Sequence, residues 1–274
     1  MKSPLVPCVL SCLFLSMSSS SAFADFPGPA KDYRGFARHD FVVDGCKTTV
    51  VAPKEAAPGK PWLWRAEFFD HRPEIDVALL GKGFHLVYIQ VGNTFGCPDA
   101  MKHWDVLYAE LTGKYGLSKK PVLLGLSRGG LYVYNWGSAN PDKVSCIIGD
   151  NPVCDFKSWP GGKGKGKGSK GDWAKLIKDY HFKDEAEALA YTKNPVDNLK
   201  PLAEAKVPLL HLAGDADEVV PYEENTVVIQ RRYKELGGSF TLILKKGFKH
   251  HPHGLDDPTP VVKFVLEHTQ RTGA

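Results

Sequence analysis

Ser127 sits in Gly125-Leu126-Ser127-Arg128-Gly129, between an aliphatic run at 121–124 and a helix-like segment that begins at Gly130. A serine at such a strand-to-helix turn is held on a backbone so tight that a side chain two residues to either side would meet neighbouring main chain. Glycine relieves that collision and leaves the hydroxyl exposed. The hydroxyl becomes a useful nucleophile only when an imidazole takes its proton, and the imidazole needs a carboxylate to fix its tautomer and stabilise its charge. The chain offers both further along. Gly214-Asp215-Ala216-Asp217-Glu218-Val219-Val220-Pro221 supplies carboxylates, and Gly247-Phe248-Lys249-His250-His251-Pro252-His253 supplies imidazoles. With 27 glycines in 274 residues, a Gly-x-Ser-x-Gly run is a weak signal by itself, so its surroundings must decide.

Those three stretches can meet only if strands carry them to one edge of a sheet. After Asp25 the pattern alternates between strand-like and helix-like segments, which predicts an α/β fold with a mostly parallel eight-stranded sheet flanked by helices. Residues 36–43 and 48–52 read as an antiparallel pair turned by Asp44-Gly45. Further strands are expected at 62–69, 84–91, 121–126, 144–149, 208–213 and 240–245, and helices near 75–80, 99–115, 130–138, 222–236 and 260–269. The serine then follows the fifth strand, the acidic loop the seventh and the histidines the eighth. Residues 150–207 are too long for a simple crossover and read as a cap inserted after the sixth strand. Within them, 161–171 alternate glycine and lysine. A phosphate loop is excluded there because Lys167 is followed by Gly168, and a dinucleotide fingerprint fails because Ser127 stands where its second glycine belongs.

Lys2, the mostly apolar run 5–17 and Ala22-Phe23-Ala24 have the form of a secretory leader cleaved after Ala24, leaving a single domain over 25–274 that is secreted or periplasmic. No later stretch approaches the roughly 18 apolar residues of a membrane span. Loss of Lys2 lowers the net charge from +4 to +3, a balance that points away from nucleic acid. Cys46, Cys97, Cys146 and Cys154 remain; three pairings are open, as are buried thiols.

Three features together carry a family resemblance: the elbow, a Gly-x-x-Asp-x-x-Val-Pro loop at 214–221, and a His-x-Pro-His run at 250–253, in the chain order Ser, Asp, His. Over essentially all of the mature chain the sequence resembles the α/β-hydrolase superfamily, in particular secreted bacterial carbohydrate esterases and prolyl-oligopeptidase-like hydrolases. The resemblance implies Ser127 as nucleophile, Asp217 as triad carboxylate in preference to Asp215, and His250 as base, with His251 its competitor. It also implies an oxyanion site formed by the Arg128 N–H and an amide after the third strand. The loop there, Phe68-Phe69-Asp70-His71, lacks the His-Gly of many lipases, and Phe69 is the expected donor. Three close histidines also have the composition of a metal site, but a ligand set needs geometry and a further donor; no metal and no cofactor are expected.

The substrate is less legible. The Arg128 side chain would either grip a substrate carboxylate or pair with a nearby acid such as Glu67 or Asp70. Lys165 and its neighbours would add positive potential over the site, or form a solvated loop. Trp159 and Trp173 flank that loop and suit either sugar stacking or the core of the cap. Taken together these predict a secreted serine hydrolase acting on carboxylic esters of acidic carbohydrates. The alternatives are a secreted serine peptidase of prolyl-oligopeptidase type and a catalytically inactive glycan-binding scaffold.

Overall fold

A computed structural model describes residues 24–269, so the leader-like residues 1–23 lie outside the described part. The hairpin read from Asp44-Gly45 joins β2 (Phe36–Val43) to β3 (Cys46–Ala52). Its turn residues have φ of +48° and +76°, the left-handed pair that a two-residue hairpin loop requires. On the open side of β2 lies β1 (Lys31–Tyr33), paired antiparallel. The sheet therefore has nine strands rather than eight; three residues, two of them exposed, are too few to show a period in the sequence. β3 pairs antiparallel with β5 (His85–Gln90), and from there the sheet is parallel through β4 (Trp62–Ala66), β6 (Val122–Leu126), β7 (Cys146–Asp150), β8 (Leu209–Gly214) and β9 (Phe240–Lys245).

The central strands are apolar on both faces because both are covered. On one face α2 (Pro98–Gly113), α3 (Gly129–Ala139) and α7 (Thr226–Glu235) bury Trp104, Trp136 and Tyr233 against Trp64, Leu123 and Ile147. Trp64 and Trp104 stack with ring centres 4.1 Å apart. On the other face α1 (Glu74–Leu80) and α8 (Thr259–Thr269) bury Leu79 and Val261 against Leu63, Leu124 and Ile148.

Residues 151–208 contain α4 (Lys170–Asp179), α5 (Glu185–Ala190) and α6 (Lys200–Glu204). Instead of forming a separate cap layer, they share the core of the α2–α3 face: Leu176, Tyr180, Val196 and Leu202 all belong to it. The cause is their aromatic content. Phe156 lies 5.3 Å from the Tyr180 ring and 5.2 Å from that of Tyr191, a cluster that would be costly to leave in water. Among the described residues the four cysteines, Cys46, Cys97, Cys146 and Cys154, are free thiols, and burial pushes the Cys146 and Cys154 thiols far up, which makes them inert. No helix among the described residues is long and apolar enough to cross a membrane.

Candidate active site

β6 ends at Leu126, α3 begins at Gly129, and Ser127 between them has φ of +47°. A non-glycine residue pays for that conformation, and the surrounding bonds enforce it. The Ser127 N–H donates to the Asp150 carbonyl (2.9 Å), and the Ser127 carbonyl accepts from Gly130 (3.0 Å) and Val153 (2.8 Å). The flanking glycines are needed for contact reasons: a Cβ on Gly125 would lie 2.6 Å from the Gly129 carbonyl oxygen, and one on Gly129 2.5 Å from that of Ala66.

Ser127 Oγ is 3.0 Å from His250 Nε2, and His250 Nδ1 is 2.7 Å from Asp217 Oδ2. All three residues are buried. The other carboxylate oxygen of Asp217 accepts from the Val219 and Val220 amides, both at 2.9 Å, so the acid is fixed by its own loop. Asp215 points elsewhere and accepts from the Gly247 N–H at 2.5 Å. His251 is exposed beside His250, with ring centres 5.0 Å apart.

The histidine loop is tied to the end of β7 by two adjacent residues, Asp150 and Asn151, that carry no motif of their own. Asp150 accepts from the Gly254 N–H at 2.5 Å, contacts His253 Nδ1 at 3.3 Å and lies 3.8 Å from Lys245 Nζ. Burial pushes its carboxyl up, but His253, Lys245 and the Gly254 amide together outweigh burial and hold it below the usual carboxylate range. Asn151 donates from Nδ2 to the His250 carbonyl (2.9 Å) and accepts at Oδ1 from the Gly214 N–H (2.8 Å), which bridges the histidine loop to the strand that carries the acid.

The loop after β4 leaves the sheet earlier than expected, at Ala66, because Glu67, Phe68, Asp70 and Arg72 all take left-handed φ between +50° and +66°. A buried guanidinium organises it. Arg65 donates to the Phe68 carbonyl (3.2 Å), to the His71 carbonyl and to Asp76 on α1 (2.5 Å).

Ser127 lies in a cavity of about 340 Å³ lined by the apolar side chains of Phe68, Trp159 and Val219 and by His71, His250, His251, His253 and Arg128. Burial, then the charges of neighbouring imidazoles and, for His71, of Arg65 and Arg72, push His71 and His251 below the usual histidine range. Of the residues expected to meet substrate, Arg128 and Trp159 line the cavity and two do not. Trp173 is buried in the α4 core, its indole N–H donating to Glu185 (3.1 Å). Lys165 is bound through its amide to Glu224 (2.5 Å) and its ammonium lies 3.9 Å from Glu223. Arg128 has an internal partner: its Nε donates to Glu67 at 2.7 Å and its guanidinium rests 4.6 Å over the Phe68 ring. Asp70 is taken instead by Arg34 and Tyr33. The Phe69 side chain turns to Tyr33 and Tyr88 and does not line the cavity.

No family model and no curated protein matches the chain. Solved structures do. Dipeptidyl peptidase 4 of Porphyromonas gingivalis superposes with a TM-score of 0.64 at 13% identity, over 86% of this chain and 36% of the peptidase. The acylaminoacyl peptidase of Pyrococcus horikoshii gives 0.58 at 15% identity, over 79% of this chain and 38% of that enzyme. The monoacylglycerol lipase of Paleococcus ferrophilus gives 0.54 at 19% identity, over 81% and 99%. The chain thus spans well under half the length of these peptidases but nearly all of the lipase. Such identities establish the fold.

Proposed function

From an α/β-hydrolase fold with a buried serine, imidazole and carboxylate in one hydrogen-bonded line, we propose that the protein is an exported serine hydrolase that cleaves carboxylic esters of carbohydrates. The observation that carries this is the line itself: Oγ to Nε2 at 3.0 Å and Nδ1 to carboxylate at 2.7 Å, opening on a cavity. His250 takes the Ser127 proton as Oγ attacks the ester carbonyl, and Asp217 stabilises the imidazolium. The amides of Arg128 and Phe69 hold the oxyanion. The alcohol leaves with the proton from His250, and water then cleaves the acyl-enzyme with His250 again as base. Trp159 supports a sugar-sized group, since an indole in the cavity lining suits packing against a pyranose ring. A preference for uronate esters rests on Arg128 alone, and Glu67 already neutralises that side chain in part. Export rests on the leader-like residues.

A fluorophosphonate should label the wild type and spare Ser127→Ala, whose turnover of acetylated, methyl-esterified or feruloylated glycans should fall by about a millionfold. Retained activity in Ser127→Ala would reject the assignment, and turnover of peptide amides without sugar esters would turn the proposal towards a peptidase. Equal rates on uronate and neutral esters, unchanged by Arg128→Ala, would remove the acidic preference.

A further inference from the structure

His250, His251 and His253 form a nearly mutually perpendicular trio lining the cavity, with ring centres 5.0, 4.8 and 4.8 Å apart. One ring nitrogen of each lies within 4.8 Å of those of the others. Two of the three are prepared in the same way. His250 has Nδ1 on the buried carboxylate of Asp217, and His253 has Nδ1 on the buried carboxylate of Asp150, which leaves Nε2 of each as the nitrogen with a lone pair to give. A carboxylate behind an imidazole is the arrangement that orients histidine ligands of zinc and raises their basicity. His251 adds a third imidazole from the solvent side.

We propose that these three histidines form an inhibitory site for a divalent transition metal, zinc being the reference ion, and that the metal and the serine compete for one lone pair, that of His250 Nε2. Tetrahedral zinc with nitrogens about 2.0 Å away needs them about 3.4 Å apart, so the trio must close by on the order of 1 Å. The exposed His251 side chain can swing towards the other two, and His250 and His253 must close any remaining gap between them by small shifts on their carboxylates. Three imidazoles with the fourth position left to water complete the coordination. Once Nε2 is given to the metal it cannot accept the Ser127 proton, so the bound form is inactive. A hard cation such as Mg²⁺ prefers oxygen donors and finds none in the trio.

The inhibitory half of this proposal rests on the serine-hydrolase reading; the binding half does not, and the test separates them. Zinc would be titrated against a chromogenic chelator with the wild type, Ser127→Ala and His251→Gln, each as the full mature chain. Wild type and Ser127→Ala should each bind one zinc per chain, and His251→Gln should bind at least about tenfold more weakly. In the wild type the same zinc range should block fluorophosphonate labelling, and EDTA should restore it. No stoichiometric binding, or equal affinity in His251→Gln, would overturn the site. Binding without slower labelling would overturn its inhibitory role. If labelling failed even with EDTA, the serine-hydrolase reading would fall while the binding result still decided the metal site.

Discussion

Asn151 makes the least conspicuous contribution among the residues around Ser127, because no single atom of it touches the reacting groups. Its amide joins the His250 carbonyl to the Gly214 N–H, so it spans the two loops that carry base and acid. Asn151→Ala leaves a buried N–H and a buried carbonyl without that partner, which costs about 1–3 kcal/mol. The urea midpoint should fall accordingly, and kcat should fall more than KM rises, because the loss acts on alignment rather than on substrate contact. An unchanged midpoint and kcat would show that the bridge does not hold the loops. Ser127, Asp217 and His250 were legible because reactive residue types stood in motifs at strand ends. Asn151 was not, since it acts through a backbone carbonyl and a backbone amide, which leave no trace in residue type; nor were Asp150 and Arg65, which join main-chain groups to side chains that only the fold brings near. Glu67 was legible only as one of two candidates for Arg128.

At the level of elements, the lysine-glycine segment departs most from its sequence pattern. Composition suggests a free loop, yet Gly161, Gly162, Gly164 and Gly168 sit where a side chain would collide. A Cβ at Gly164 would lie 2.3 Å from the Glu224 carboxylate, and one at Gly168 2.5 Å from the Pro160 carbonyl oxygen. Glu224 clamps the segment by accepting from Ser158 Oγ (2.6 Å) and the Lys165 amide (2.5 Å). Glu224→Ala should therefore free the segment, and trypsin should cut after Lys163, Lys165 or Lys167 several times faster than in wild type, as read by mass spectrometry. Equal rates would mean that packing against Val219 and Pro221 suffices without the carboxylate. Strands were well placed from sequence because both-face burial makes them continuously apolar. The early end of β4 was missed because aromatic residues at 68–69 extend the apolar run past the point where left-handed backbone stops the strand.

For the whole molecule, the buried histidines set the response to acid. Burial pushes His211 down to about 3, against a smaller opposing effect of the Asp150 charge, and its ring nitrogens are held by Tyr134 (2.7 Å) and Thr226 (3.0 Å). Burial also brings His85 down to about 4. A histidine whose pKa is lowered by folding contributes stability that is complete above its unfolded pKa near 6.5 and is lost as pH falls towards the folded value. Stability should decline from pH 6.5 towards 4, with about 2 kcal/mol attributable to His211 by pH 5. Urea unfolding at pH 7 and pH 5 should show this fall, and His211→Gln, which cannot titrate, should show a smaller one. Identical slopes would remove His211 as a source.

The end of β7 has a mechanical consequence. The Asp150 carbonyl holds the Ser127 N–H while its carboxylate holds Gly254 and His253, so Ser127 and the histidine loop share one mounting point at the end of β7. Of the apolar cavity wall, Phe68 and Trp159 hang from other segments, whereas Val219 belongs to the loop whose amides fix Asp217. Substitutions at Phe68 or Trp159 can therefore reshape the cavity while the Ser127–His250–Asp217 line keeps its own supports, and only Val219 belongs to both.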